Sequence, residues 1–110
     1  YDGGDGLETT LVRSIRPGQS QSASIESLLE AHNWEFEGQA GQTVTIRVDG
    51  QAETDPRAKL IDPQGRVIAS DDDGGGGWNA LIIATLPADG VYTVRVDVFT
   101  PGTYTITLSQ

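Results

Sequence analysis

Apolar and polar residues alternate with a period of two along most of the chain. Between His32 and Glu37, Trp34 and Phe36 fall on one face, whereas Glu35 and the final glutamate fall on the other. Alternation of this kind predicts a strand with one face in the core. Further strand patterns cover residues 9–15, 19–25, 43–49, 57–61, 66–70, 80–86, 91–98 and 104–108.

Glycine and proline separate these segments. The run Asp62-Pro63-Gln64-Gly65 fits a type I turn, with Pro at its second position and Gly at its fourth. Residues 25–31 fit either a short helix or a strand followed by a bend. Short strands with regularly spaced turns predict an all-β fold, an antiparallel β-sandwich of jelly-roll type with eight to nine strands. We expect one domain over residues 9–110, preceded by a Gly/Asp-rich N-terminal segment, residues 1–8.

The alternation also predicts which side chains point inward. Thr93, Arg95 and Asp97 are expected to face outward, and the hydroxyls of Tyr92 and Tyr104 to reach the rim of the core. The predicted core comprises Trp34, Phe36, Val44, Ile46, Val48, Leu60, Tyr92, Val94, Val96, Tyr104, Ile106 and Leu108.

Charge and composition narrow the possible functions. With 7 Lys+Arg against 16 Asp+Glu, the net charge is −9, which argues against partners rich in phosphate, such as nucleic acid or anionic lipid. The chain has no Cys, so disulfides, thiolate zinc sites and Cys nucleophiles are excluded. No apolar run approaches the length of a membrane span. Because the chain lacks an initiator Met and a basic-then-apolar leader, we expect a mature or excised fragment.

The most informative cluster is the acidic loop Asp71-Asp72-Asp73, which is followed by four glycines and Trp78-Asn79. Calcium prefers six to eight oxygen ligands. We therefore predict a calcium site formed by Glu53, Asp55, Asp71, Asp72, Asp73 and Asn79. The loop is not an EF-hand, because its twelfth position is Ile82 instead of Glu. The alternative is a solvated loop in which Asp and Gly serve turn geometry.

Three other features have weaker signals. The segment Gly3–Glu8 approximates one repeat of a calcium-binding β-roll, but a single repeat is a weak signal and a flexible linker is the favoured interpretation. Trp78 is predicted either to bind a ligand by stacking or to cover the end of the sandwich. His32, the single histidine, is interpreted as structural, and no Ser–His–Asp arrangement or carboxylate cleft is indicated. We therefore predict that the chain is not an enzyme.

The order and spacing of several motifs resemble the bacterial pre-peptidase C-terminal domain, which is related to the collagen-binding domains of clostridial collagenases. The resemblance covers nearly the whole chain, from about Arg13 to Leu108. Its residues are Trp34-x-Phe36-x-Gly38-x-Ala40-Gly41-Gln42, Asp55-Pro56, Leu60-x-Asp62-Pro63-x-Gly65, Asp71-Asp72-Asp73, Leu86-Pro87-Ala88-Asp89-Gly90-x-Tyr92 and Gly102-x-Tyr104-x-Ile106. The chain departs from the family pattern in the glycine run before Trp78.

The resemblance implies a secreted bacterial β-sandwich, at the cell surface or outside the cell, that is appended to proteases or other exported proteins. It also implies a non-catalytic role. Among the relatives, some bind calcium and some bind collagen or insoluble polysaccharide. We expect a calcium-stabilised binding module whose partner is an extracellular protein, a polysaccharide or a neighbouring domain. The alternative is a self-assembling structural subunit, whose N-terminal segment pairs with an edge strand of the next copy.

Overall fold

The computed structural model describes residues 5–72 and 79–110, and nine strands lie within these ranges. The strands are β1 (Glu8–Ser14), β2 (Gln19–Ile25), β3 (Glu30–Gly38), β4 (Thr43–Gly50), β5 (Asp55–Ile61), β6 (Val67–Asp71), β7 (Ala80–Thr85), β8 (Gly90–Thr100) and β9 (Gly102–Ser109). The all-β prediction is confirmed, and each of the nine predicted segments is a strand. The described residues form no helix long and apolar enough to cross a membrane.

The strands form two sheets. The five-stranded sheet has the order β1-β3-β8-β5-β6, and the four-stranded sheet has the order β2-β9-β4-β7. Neighbouring strands are antiparallel except for β1 and β3, which are parallel. Parallel pairing is possible here because β1 and β3 are separated by β2, which belongs to the other sheet. The chain therefore crosses between sheets at Ile15–Gly18 and again after Ile25.

The core between the sheets follows the predicted alternation. All twelve predicted core residues are buried, with exposed fractions of 3% or less. Phe36 stacks on Tyr92 with ring centroids 5.6 Å apart, whereas Trp34 meets Tyr104 edge-on at 6.4 Å. Offset and edge-on aromatic contacts of this kind add to the burial term.

Two local predictions are confirmed by backbone hydrogen bonds. Residues 25–31 form a strand end followed by a bend, in which the Glu30 amide donates to the Ser27 carbonyl at 3.2 Å. In the predicted turn after β5, the Gly65 amide donates to the Asp62 carbonyl at 2.9 Å. The φ of Gly65 is +85°, a value that glycine adopts without steric cost.

The outward-facing residues of β8 point in the predicted direction, but they are buried, which the alternation did not predict. Thr93, Arg95 and Asp97 lie on the outer face of the five-stranded sheet, yet they are 7%, 1% and 4% exposed. Period-two alternation assigns a side chain to a face but does not reveal what covers that face. Part of the cover over Arg95 comes from residues 5–7, at the other end of the sequence.

Candidate functional site

The predicted calcium ligands among the described residues, Glu53, Asp55, Asp71, Asp72 and Asn79, lie at or next to strand ends that share one end of the sandwich. At this end β4, β6 and β8 finish while β5, β7 and β9 begin, because their pairing is antiparallel. Asp55 starts β5 opposite Thr100, and Asp71 ends β6. The topology thus brings the acidic loop and the segment after β4 to the same end.

Two of the candidate ligands have structural hydrogen bonds there. Asp71 accepts a hydrogen bond from the Leu81 amide at 2.9 Å, which links β6 of one sheet to β7 of the other. Asn79 accepts from the Gly50 amide at 3.1 Å. The first of these bonds joins the two sheets, whereas the second links the start of β7 to the end of β4 within the four-stranded sheet.

The remaining described candidates are more open to solvent. Glu53 is exposed in the turn after β4, and Asp72 is exposed just beyond β6. The negative charge of Asp72 is one of the weaker influences that raise the pKa of Arg57, after the hydrogen bond and charge of Asp97. Asp72 thus lies within electrostatic range of the outer face of the five-stranded sheet.

The structure does not assemble a complete metal site from the described residues. In residues 5–72 and 79–110, no three acidic or histidine side chains are grouped so that they could hold an ion. Asp73 and Trp78 lie outside the described residues, so the predictions made for them stay predictions. The calcium ligand set as a whole also stays a prediction.

A different charged cluster, which the sequence analysis missed, lies on the outer face of the five-stranded sheet. Arg95 donates from Nε to Asp5 Oδ2 at 2.7 Å and from Nη2 to Asp5 Oδ1 at 3.1 Å. Its Nη1 donates to Thr9 Oγ1 at 2.8 Å and to Asn33 Oδ1 at 2.9 Å. We call Asp5, Thr9, Asn33 and Arg95 the N-terminal clamp, since they fix the start of the chain to β3 and β8.

Two positive charges and a backbone amide stabilise the ionised Asp5 carboxylate of the N-terminal clamp. The Arg95 guanidinium lowers the pKa of Asp5 from 3.8 to about 2, against the opposing effect of burial. Lys59 adds a second cation, with Nζ 3.8 Å from Asp5 Oδ2. The bidentate contact orients the carboxylate, which also accepts a hydrogen bond from the Leu7 amide at 3.1 Å. From Asp5 onward, the segment for which a flexible linker is the other interpretation is thus in contact with the sheet.

A second ion pair lies beside the clamp on the same face. Arg57 on β5 donates to both carboxylate oxygens of Asp97 on β8, at 3.1 and 2.5 Å. The same guanidinium lies over the ring of Phe99, 4.7 Å from its centroid. Because Arg57 and Asp97 are direct cross-strand partners, this pair ties β5 to the central strand of the sheet.

The outer face of the four-stranded sheet has a different chemistry. Serines of β2 and threonines of β9 face each other as cross-strand partners, and their hydroxyls are hydrogen-bonded. We call these three pairs the hydroxyl ladder. The pairs are Ser20–Thr107 at 2.9 Å, Ser22–Thr105 at 2.9 Å and Ser24–Thr103 at 2.7 Å.

Between the sheets, His32 belongs to a buried hydrogen-bond network. The Tyr104 hydroxyl lies 2.6 Å from His32 Nδ1 and accepts from Trp34 Nε1 at 2.8 Å. Burial lowers the pKa of His32 and raises the pKa of Tyr104. Because the Tyr104 hydroxyl is enclosed between His32 and Trp34, the rim position predicted for it is wrong. The Tyr92 hydroxyl does reach the edge of the core, where it donates to the Ala88 carbonyl at 2.6 Å. The network agrees with a structural role for His32.

A family model matches residues 30–97 of the chain, from the start of β3 to near the end of β8, and describes the bacterial pre-peptidase C-terminal (PPC) domain. The match spans more than half of the chain. The chain belongs to the PPC domain family. Domains of this family are non-catalytic accessory modules of proteases. No curated protein sequence matches the chain.

Solved structures with the same fold include a second PPC domain and two inhibitors. The pre-peptidase C-terminal domain of collagenase from Bacillus anthracis superposes with a TM-score of 0.69 at 17% identity, covering 89% of this chain and 94% of that one. PliG from Aeromonas hydrophila, a periplasmic inhibitor of g-type lysozyme, gives 0.65 at 17% identity, covering 89% and 97%. PliG from Salmonella Typhimurium gives 0.52 at 19% identity, covering 88% and 98%. These likenesses show the fold of this PPC domain.

Proposed function

We propose that this PPC domain is a secreted, non-catalytic accessory module that presents its loops or a sheet face to an extracellular macromolecule or to an attached enzyme domain. The observation that carries the proposal is the family match across β3 to β8, the strands that build the centre of the five-stranded sheet. On the outer face of the five-stranded sheet, Arg57 and Arg95 are engaged in structural ion pairs. Such a rigid scaffold suits presentation better than turnover.

The N-terminal clamp supports the attachment role. Because Arg95 is buried and holds Asp5 through two hydrogen bonds, the chain leaves the sheet at a defined place. An enzyme domain joined before Asp5 is then held close to the outer face of the five-stranded sheet. The alternative, a self-assembling subunit, requires the N-terminal segment to pair with another copy and to give up these contacts.

Calcium is the second part of the proposal. The described candidate ligands share one end of the sandwich, and Asp71 and Asn79 accept main-chain hydrogen bonds there. An ion bound by Asp72, Asp73 and Glu53 would offset the repulsion between adjacent carboxylates. The affinity of an extracellular module of this kind is typically in the millimolar to micromolar range.

Thermal melting in excess calcium and in chelator tests this part. At calcium a hundredfold above its dissociation constant, we expect about 2.7 kcal/mol of stabilisation and a Tm several degrees higher. Asp73→Asn should reduce this shift, whereas Glu37→Gln, an equal charge change on an exposed residue at the opposite end of the sandwich, should retain it. Identical melting curves with calcium and chelator would show that the loop is a solvated turn.

Sedimentation of the isolated domain separates the accessory module from the self-assembling subunit. The clamp uses the N-terminal segment within its own chain, so we expect a monomer at micromolar concentration. Concentration-dependent growth that Arg95→Met strengthens would favour the subunit, because that substitution releases the segment for pairing with a neighbour.

A further inference from the structure

β7 is the least protected of the four edge strands that the described residues form. The five-stranded sheet ends in β1 and β6, and the four-stranded sheet ends in β2 and β7. β1 carries Glu8 and Arg13, β6 carries Asp71, and β2 consists mainly of serine and glutamine. β7 is Ala-Leu-Ile-Ile-Ala-Thr and has no charge, proline or glycine. Because proteins usually protect an exposed edge with charge or proline, β7 is the edge most suited to pairing with another strand.

The hydrogen bonds near both ends of β7 show which of its main-chain groups are free to pair. The Leu81 amide points away from β4 and donates to Asp71 at 2.9 Å, whereas the Leu86 amide donates to the turn before β4 at 2.8 Å. Successive residues of a strand in an antiparallel pair turn their main-chain groups to alternate sides. The amides and carbonyls of Ile83 and Thr85 therefore point away from β4, to the side where no described strand pairs with β7.

The side chains of β7 add an apolar contact at the same place. Ile82 is 3% exposed and belongs to the core, so the alternation places Leu81, Ile83 and Thr85 on the outer face of the four-stranded sheet. The Ile83 side chain is 65% exposed. One residue at the centre of the edge thus offers a main-chain donor, a main-chain acceptor and an uncovered branched side chain.

A second copy of β7 matches this edge in an antiparallel pair centred on Ile83. The two Ile83 residues then lie directly opposite each other and exchange both main-chain hydrogen bonds. Leu81 of each copy lies opposite Thr85 of the other, where the Thr85 amide donates to the Leu81 carbonyl. The bond from the Leu81 amide to Asp71 is retained. Because a two-fold rotation relates the copies, the pairing closes at two and does not extend.

The charge distribution favours the same arrangement. With a net charge of −9, two copies approach each other at the lowest cost along an uncharged strand. β6 runs beside β7 in the opposite direction, and Asp71 at its end bonds to Leu81 near the start of β7. The two-fold rotation therefore directs Arg66, which pairs with Asp62 but stays 74% exposed, toward Asp71 and Asp72 of the other copy. Opposite charges thus meet on both sides of the paired strands.

We propose that two copies of the domain pair through β7, so that their four-stranded sheets form one continuous sheet. The N-terminal segment takes no part, which distinguishes this closed dimer from an open assembly by strand donation, and the proposal is independent of the accessory-module function. One short strand and its neighbours form a contact smaller than the about 1,200–2,000 Å² of a stable interface. We therefore expect a monomer at micromolar concentration and a dimer above about 1 mM, a concentration that copies held on one surface reach locally.

Dilution of the ¹⁵N-labelled domain from about 3 mM to about 0.03 mM, followed by sedimentation equilibrium and NMR, tests the proposal. Chelator is present throughout, because Asp72 is also a candidate calcium ligand. We expect the mass to rise from one copy to two, with the largest concentration-dependent shifts at the Ile83 and Thr85 amides. Ile83→Lys places two like charges opposite each other and should weaken the dimer at least about tenfold. Val12→Lys makes the same charge change at an exposed residue of edge strand β1 and should leave the dissociation constant unchanged.

The assignment of β7 as a dimer surface is overturned by any of four outcomes. A monomer at every concentration would show that a second copy does not cover β7. Shifts confined to another edge, or a dimer that Ile83→Lys does not weaken, would place the contact elsewhere. Growth beyond two copies that Arg95→Met strengthens would indicate pairing through the N-terminal segment.

Discussion

The outer faces of the two sheets stabilise the domain in different ways. On the five-stranded sheet, Arg95 is 1% exposed and joins residues that are distant in sequence, from Asp5 to Asn33. On the four-stranded sheet, the exposed serines of the hydroxyl ladder bond to half-buried threonines of the neighbouring strand. A buried charge with specific partners is costly to disturb, whereas solvated hydroxyls exchange their partners with water at little cost. Outward-facing positions in one sandwich are thus not equivalent.

The largest expected effect on stability comes from a substitution in the hydrophobic core between the two sheets. Val94 is fully buried between the sheets, and Val94→Asp places an unpaired carboxylate there. Burial of such a charge costs several kcal/mol, against a total stability of about 5–15 kcal/mol for a domain. We expect loss of the folded state, measured by circular dichroism and by collapse of NMR dispersion. A folded variant with an unchanged Tm would contradict the assigned register of β8.

The next largest effect on stability distinguishes the outer face of the five-stranded sheet from that of the four-stranded sheet. Arg95→Met removes the cation of the N-terminal clamp and leaves the polar atoms of Asp5 and Asn33 without their donor. We expect a loss of about 3 kcal/mol in the free energy of unfolding, measured by urea denaturation. The matched control is Arg47→Met on the four-stranded sheet, where the side chains of the Arg47–Asp49 pair are 43% and 37% exposed. Exposed pairs contribute about 0–1 kcal/mol, and equal losses in the two variants would abolish the contrast.

Acid tests the same contrast without a substitution at Arg95. The folded pKa of Asp5 is about 2, below the 3.8 of the free side chain, so the unfolded state takes up the proton more readily. Its contribution of about 2 kcal/mol is complete above about pH 5 and is lost as the pH falls toward about 2. Asp5→Asn should flatten the stability curve in this window. Parallel curves for the two proteins would show that the pair does not form in solution.

The smallest effect is expected on the hydroxyl ladder. Thr105→Val removes one hydroxyl from the Ser22–Thr105 pair and keeps the branched shape of the side chain. Because the remaining Ser22 hydroxyl is solvated, we expect the free energy of unfolding to change by less than about 0.5 kcal/mol. A loss comparable to that of Arg95→Met would mean that the ladder is a structural network in its own right.

The sequence predicted the strands and the core well because both depend on local alternation. Trp34, Tyr92 and Ile106 are buried where the period-two pattern places them. The burial of Arg95 was missed because its partner, Asp5, lies 90 positions away. One signal was available in the sequence. Arg95 lies in the middle of the longest strand, and a long strand is expected at the centre of a sheet, where a charged side chain needs a partner. The Tyr104 hydroxyl was misplaced for the same reason, because its partners on β3 belong to the opposite sheet.

The predicted site was only partly accessible to sequence reasoning. Strand order was enough to bring Asp55, Asp71 and Asn79 to one end of the sandwich. It did not reveal that Asp71 accepts a hydrogen bond from the Leu81 amide or that Asn79 accepts one from the Gly50 amide. Such hydrogen bonds depend on side-chain direction at strand ends, which composition and spacing do not encode.

Backbone order at residues 5–7 tests the central claim most directly, namely that the N-terminal segment is fixed to the outer face of the five-stranded sheet. The measurement is the ¹⁵N heteronuclear NOE of the Leu7 amide, which donates to Asp5 Oδ1, in the wild-type domain and in Arg95→Met. We predict a value in the wild type equal to those of β1, and a fall to the range of a flexible tail in the variant. A flexible value in the wild-type domain would contradict the clamp and, with it, the proposed way in which this module holds an attached domain.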